Sequence, residues 1–139
     1  MKPHKDRIEK VKKIDYGHNL NCWGTTVFVL GAVDRIHWAN GKVMREWLES
    51  TTRPLEPKEK RQRGDILVMF DEAFLLCCDD PESGITHTAV YVGGGKYFHK
   101  CGAGKARYDN QTGVLSSYSY TKANHVRPVK EDLRGTYAA

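Results

Sequence analysis

The chain has no long hydrophobic run. Its two longest apolar stretches, Val27 to Val33 and Ala73 to Cys78, fall far short of the roughly 20 residues that cross a bilayer. No membrane span is expected. Met1 to Arg7 carry the charge of a secretion leader's opening, but neither an apolar segment nor a small-residue cleavage site follows. Classical secretion is therefore not expected of this chain, and its localisation stays open; work in a periplasm or outside the cell would need export as an effector or an already trimmed leader. Cysteine is scarce, and Cys22, Cys77, Cys78 and Cys101 lack the spacing of a zinc ribbon or a small disulfide scaffold. Adjacent Cys77 and Cys78 follow Phe74-Leu75-Leu76 and read as small hydrophobes. Internal repeats and linkers rich in Gly, Ser or Pro are missing too, which leaves one domain over residues 1–139.

What is present is an ordinary globular mixture, 40% hydrophobic and 28% charged, which argues against a disordered chain. The net charge of +5 is concentrated in two places. Residues 1–13 set Lys2, Lys5, Arg7, Lys10, Lys12 and Lys13 against Asp6 and Glu9, and Lys58-Glu59-Lys60-Arg61-Gln62-Arg63 is the second cluster. Such clusters suit an anionic polymer such as a cell wall. With neither an aromatic-interleaved RNA-binding motif nor a helix-turn-helix pattern, they read as solvated faces, and no nucleic-acid partner is expected.

The spacing of Ile8, Val11 and Ile14 predicts a short helix over 5–13. After the Gly- and Asn-bearing loop 16–21, the run from Cys22 to Val33 exceeds the usual strand length and has Asn21 before it, which predicts a buried helix. A further helix is expected over 42–49, with Val43, Trp47 and Leu48 on one side and Pro54 and Pro57 beyond its end. Ile66 to Phe70 reads as a strand buried on both faces. Thr86 to Val92 and Lys96 to Cys101 read as two strands around Gly93-Gly94-Gly95, with shorter strands expected over 114–120 and 125–129. Helices first and an antiparallel sheet after them make the fold class α+β.

If Gly93 is the midpoint of the hairpin, His87 and His99 stand directly opposite each other and share one face. If the helix opens at Asn21 or Cys22, the Cys22 thiol lies at the positive end of the helix dipole, where a thiolate is stabilised and the first N–H groups can receive an oxyanion. A histidine on the adjacent sheet would take the thiol proton, and a second polar group would hold that histidine in the right tautomer.

These residues resemble the NlpC/P60 branch of the papain-like cysteine peptidases and amidases. In that family a Cys opens the core helix, a Gly-Asp pair introduces the first main strand, and a His begins a strand of the form His-x-x-x-Tyr-x-Gly, with a second His in the next strand. Here they are Asn21-Cys22-Trp23-Gly24, Gly64-Asp65-Ile66, His87-Thr88-Ala89-Val90-Tyr91-Val92-Gly93 and Phe98-His99, the two histidines 12 apart, and the resemblance covers about residues 14–129. It implies a papain-like fold with N-terminal helices packed on a central antiparallel sheet. It also implies Cys22 as nucleophile, His87 as general base and acid, and His99 as the group that orients His87. Tyr16 resembles the family's tyrosine near the acyl-binding site. The family's usual Asp-Cys-Ser-Gly differs here at Asn21 and Trp23, and Trp23 would narrow the pocket or wall it for another acyl group.

The reaction implied is hydrolysis of an amide through a thioester on Cys22, with peptidoglycan stem peptides or another amide as substrate. An immunity or inhibitor protein belongs with it if the chain is an exported effector. The alternatives are a thiol acyltransferase or deamidase on the same fold, or an inactive wall-binding module. Permuted lipid acyltransferases place the histidine before the cysteine, whereas Cys22 comes first here. A metal site would draw on His87, His99 and Cys101 or Cys22, since His99-x-Cys101 lets both side chains share one strand face, but no two- or four-residue chelating pair accompanies them, so neither a metal nor a cofactor is expected. His4, His18, His37 and His125 read as surface or capping residues, Asp65 as a turn residue, Trp38 and Trp47 as core or groove aromatics, and Asp34 and Glu72 as acids without a recognisable partner.

Overall fold

The computed structural model describes residues 3–14, 17, 19–71 and 84–137. Three helices come first: α1 (Lys5–Lys12), α2 (Cys22–Val29) and α3 (Gly41–Thr51). They are followed by β1 (Thr52–Pro54), β2 (Ile66–Phe70), β3 (Ile85–Gly93), β4 (Lys96–Lys100), β5 (Ala106–Asn110), the short helix α4 (Gln111–Leu115) and β6 (Lys122–Pro128). The strands form one six-stranded sheet in the order β1-β6-β2-β3-β4-β5, with every pairing antiparallel. The α+β class, with N-terminal helices packed on an antiparallel sheet, is therefore present. Among the described residues no helix is long and apolar enough to cross a membrane.

Helix α2 begins where the Asn21 side chain supplies its cap. Asn21 Oδ1 accepts from the Gly24 N–H at 2.8 Å and from the Ala39 N–H at 3.1 Å, while its Nδ2 donates to the Ala39 carbonyl at 2.9 Å. An aspartate could not make the third bond, which is a physical reason for the amide at this position. Gly24 lies so close to the 37–39 segment that a Cβ on it would stand 2.2 Å from the His37 carbonyl oxygen. All eight residues of α2 are buried, which explains why the run is apolar all round rather than striped.

The sheet is covered on both faces. Ile66, Val68, Val90 and Phe98 join the principal core with α1, α2 and α3, while Leu67, Met69, Ala89 and Tyr97 form a second cluster with Val114, Leu115 and Tyr118. β2 is thus buried on both sides, as its unbroken apolar run predicts. The glycine turn is also as expected, since Gly93, Gly94 and Gly95 all have positive φ (94°, 61° and 76°).

Three expectations fail. The helix expected of the run Cys22 to Val33 stops at Val29, with Leu30 as its C-cap and Gly31 at positive φ (81°) turning the chain. Residues 114–120 do not form a strand: Asn110 caps α4 by accepting from the Gly113 N–H at 2.8 Å, and Val114 and Tyr118, four apart, turn one side toward the second cluster. The alternating Ser and Tyr of this segment imitate a strand but follow a capped helical turn. Nor is Asp65 a simple turn residue. It is buried, accepts from the Gln62 N–H, and pairs with Arg127 Nε and Nη2 at 2.8 and 2.9 Å, tying the entrance of β2 to β6.

Candidate active site

β3 and β4 carry the two histidines, but not in the register expected from a midpoint at Gly93. Val90 pairs with Phe98 and Tyr91 with Tyr97, so the same ladder extended sets His99 opposite Ala89 and His87 level with Cys101. The shift relative to the expected pairing is two residues, and a shift of two preserves the face. His87 and His99 are therefore diagonal neighbours on one side, and their rings still meet: His87 Nε2 lies 2.7 Å from His99 Nδ1.

The chain of contacts continues past the residues singled out from sequence. His99 Nε2 is 2.7 Å from Asp109 Oδ2 on β5, and Arg107 Nε donates to the same oxygen at 2.7 Å. Burial holds the His87 pKa well below its ordinary value, with the neighbouring His99 and Arg107 charges adding to the effect. Burial also lowers the His99 pKa, against the opposing pull of Asp109. Burial raises the Asp109 carboxyl, but hydrogen bonds from Arg107 and His99 outweigh it and leave the pKa below the usual value.

Two neutral imidazoles and one carboxylate admit a single hydrogen-bonding pattern. An ionised carboxylate only accepts, so His99 Nε2–H donates to Asp109, and His99 Nδ1 is left with its lone pair. His87 Nε2–H then donates to His99 Nδ1. The His87 Nδ1 lone pair is the open end, and that atom is buried with no hydrogen-bond partner among the described residues. The His87 ring is fixed further by stacking on Tyr118, with centroids 4.6 Å apart and planes 26° apart. Such an arrangement can accept a proton at one defined atom.

Cys22 is the first residue of α2 and 5% exposed. Its carbonyl accepts from Thr88 Oγ1 at 3.3 Å and from Thr26 Oγ1 at 3.0 Å, and the two threonine hydroxyls are 2.8 Å apart. The start of α2 therefore rests on β3 at the residue next to His87. Thr88 turns toward α2, and His87 toward the Tyr118 side. Cys101, half-buried just past β4, has its Sγ 4.0 Å from His99 Nδ1, and one ligand atom from each of His87, His99 and Cys101 lies within 4.8 Å of the others. This cluster of a thiol and two imidazoles resembles a catalytic triad. Burial raises the Cys101 thiol pKa above its ordinary value.

Between the two thiols' segments lies Lys100, with 0% exposure, whose Nζ donates to the Leu20 and Gly102 carbonyls at 2.6 Å each. It links the approach to α2 with the turn after β4. Burial lowers its pKa, while Cys22 and Cys101 act in the opposite direction.

Of the residues expected to meet substrate, Tyr16 lies outside the described residues, as do Cys77, Cys78, Glu72 and His18. Trp23 is packed in the principal core at 3% exposure, and its indole Nε1 has no hydrogen-bond partner among the described residues. Trp47 is a core aromatic and Trp38 is half-buried. His125 is not a surface residue: its Nε2 is 2.6 Å from the Tyr97 hydroxyl. His37 is half-buried beside Tyr137. Asp34 does have a partner, since Arg7 Nη2 donates to its Oδ1 at 2.7 Å. Sequence reading missed Asp109, Arg107 and Lys100. For Asp109 the one available signal was the alternation Arg107-x-Asp109, which puts a carboxylate and its counter-charge on one face of a strand following the His99 strand.

The comparisons with known proteins add one likeness. No family profile matches the chain, and no curated protein matches it. A solved structure, NlpC2 from Trichomonas vaginalis, superposes with a TM-score of 0.48 and 19% identity, covering 88% of this chain and 44% of that one. The present chain thus spans less than half the length of that protein.

Proposed function

We propose that the protein is a cysteine peptidase or amidase of the NlpC/P60 type that hydrolyses an amide bond through a thioester on Cys22, with peptidoglycan stem peptides as the substrate class. The observation that carries the reading is the buried chain Asp109–His99–His87, which ends in the unpartnered Nδ1 of His87. A general base needs a lone pair held at one atom and a partner behind it to stabilise the imidazolium, and this chain supplies both. The four sequence motifs, in family order, supply Cys22 as the thiol, and the Cys22 backbone carbonyl is held by Thr88, the residue after His87 on β3.

The steps follow from these groups. The Cys22 proton passes to His87 Nδ1 as the sulfur attacks the carbonyl carbon, and the first N–H groups of α2 receive the oxyanion. The tetrahedral intermediate collapses to the thioester as the leaving amine takes the proton from His87. Water then gives a proton to the same Nδ1 and attacks the thioester, releasing the acid and the thiol. His99 and Asp109 are positioning residues throughout.

A second reading is favoured by one specific observation, the closeness of Cys101 to His87 and His99, which would make Cys101 the reacting thiol. One experiment separates the two. Iodoacetamide labelling is followed from pH 5 to 9 in the wild type and in His87→Ala, with the labelled cysteine located by mass spectrometry. Fast labelling of Cys22 below pH 7, lost in His87→Ala, supports the first reading. The same behaviour at Cys101 selects the second, and slow labelling at both, following an ordinary thiol pKa of about 8.5, overturns each of them. Release of new amino groups from purified peptidoglycan, abolished in Cys22→Ser, tests the substrate class and separates a hydrolase from an acyltransferase or deamidase.

A further inference from the structure

We propose that His87, His99 and Cys101 form a binding site for a divalent transition metal of zinc's class, and that occupancy of this site switches off the base chain. The metal site stands on its own geometry. It does not depend on which thiol is the nucleophile.

Two nitrogens and a sulfur are the donor set that zinc prefers, and here they converge within 4.8 Å. Tetrahedral zinc places adjacent nitrogen ligands about 3.3 Å apart and nitrogen and sulfur about 3.6 Å apart. His87 Nε2 and His99 Nδ1 stand at 2.7 Å, and His99 Nδ1 and Cys101 Sγ at 4.0 Å. Opening the first pair by about 0.6 Å and closing the second by about 0.4 Å meets the requirement. Cys101 directly follows the last residue of β4, so the sulfur sits where the chain leaves the sheet.

The outer partners are also in place. Histidines that hold a metal donate their other N–H to a carboxylate, and His99 Nε2 is 2.7 Å from Asp109, itself held by Arg107. That bond leaves His99 Nδ1 as the lone-pair nitrogen, facing inward. His87 has the remaining freedom: its Nδ1 is buried and unpartnered, so the proton on Nε2 can move to Nδ1 and free Nε2 as a ligand. Cys101 releases one proton to solvent as it binds, His87 changes tautomer without loss of a proton, and His99 keeps its tautomer. The open fourth position is left to water.

Regulation follows from the tautomer change. With the metal bound, His87 Nδ1 carries a proton and Nε2 carries the metal, so no lone pair remains to take a thiol proton. The same residues therefore have an active arrangement, with His87 donating to His99, and a blocked one, with a metal between them.

Cobalt(II) is the probe, because thiolate ligation gives a near-ultraviolet charge-transfer band and four-coordination gives intense visible bands. Titration of the full chain is expected to saturate at one cobalt per chain, with zinc displacing it. Both band sets should persist in Cys22→Ser and in the Cys77→Ser/Cys78→Ser double variant. In Cys101→Ser the charge-transfer band should vanish, and Asp109→Asn should weaken binding roughly 10- to 100-fold. Far-ultraviolet circular dichroism and thermal melting of each variant show whether it is folded. His99→Gln gives a second route should Cys101→Ser fail to fold. Absence of the bands in the folded wild type, or their survival in both Cys101→Ser and His99→Gln, overturns the site. If the bands appear and zinc leaves wild-type alkylation rates unchanged, the switch is overturned while the site stands. Failure of the peptidase reading would show separately, as no hydrolysis by chelator-treated protein.

Discussion

At the scale of single residues, the tautomer of His87 is set two contacts away. Asp109 accepts from His99, His99 accepts from His87, and the base lone pair is thereby held at Nδ1. His87→Ala removes the proton acceptor and should lower amide hydrolysis by roughly 10²- to 10⁴-fold, measured as kcat/KM on a wall peptide. Asp109→Asn lets His99 flip its tautomer, so it should lower kcat with little change in KM and move the pH–rate profile, which a purely structural defect would not do. Asn21 is the other residue whose exact chemistry matters. Asn21→Asp keeps the cap on α2 but turns the donor toward the Ala39 carbonyl into a second acceptor, and a loss of about 1–3 kcal/mol is expected from chemical denaturation.

At the scale of elements, α2 is held by two kinds of contact, one to β3 and one to the segment before α3. The first is the hydroxyl pair Thr26–Thr88 with the Cys22 carbonyl, and the second is the close approach of Gly24 to the 37–39 segment. A methyl group on Gly24 would overlap a backbone carbonyl, which cannot swing aside as a side chain can. Gly24→Ala should therefore destabilise by about 1–3 kcal/mol and lower Tm, and because α2 carries Cys22 it should slow Cys22 alkylation as well. Across the sheet, Glu59 joins Arg53 of β1 to Arg127 of β6 with 2.7 Å contacts to each. Its hydrogen bond from Arg53, with help from the Glu56 N–H and from Arg127, lowers its pKa from 4.5 to about 2. A carboxylate depressed in this way stabilises the fold above its unfolded value and loses that effect as pH falls through the folded one. Glu59→Gln should flatten the fall of Tm between pH 4.5 and 2, seen by calorimetry.

For the whole molecule, the two buried imidazoles make stability depend on pH nearer neutrality. Both His87 and His99 are held neutral in the fold, with pKa values lowered from 6.5 chiefly by burial. Below that value the unfolded chain takes up protons that the native state refuses, so stability is complete above pH 6.5 and declines as pH falls. Each proton of difference contributes a slope of about 1.4 kcal/mol per pH unit. Denaturant midpoints measured from pH 7.5 to 5 should therefore fall, and His87→Gln, which cannot titrate, should reduce the slope.

Much of the arrangement can be read from residue order. The capped start of α2 at Asn21, the doubly buried β2, the glycine turn and the shared face of His87 and His99 all follow from local rules, because each depends on periodicity or on a residue with a special backbone demand. Register was harder: local pattern decides which face a histidine takes, but its partner depends on how the glycine turn closes, and the observed pairing moved by two residues without changing the face. Asp109 lay beyond local rules altogether, since its meaning comes from β5 pairing with β4 and bringing a carboxylate to a ring ten residues away. The same is true of Lys100, whose burial is tolerated because two carbonyls from distant segments converge on it, and of Cys101, which meets the histidines only where the β4 strand ends. By itself the sequence determined the three N-terminal helices, the central strands, the faces and the order of the reactive residues. Only the tertiary structure decided which polar atoms meet, because that depends on distances between segments that no local periodicity encodes.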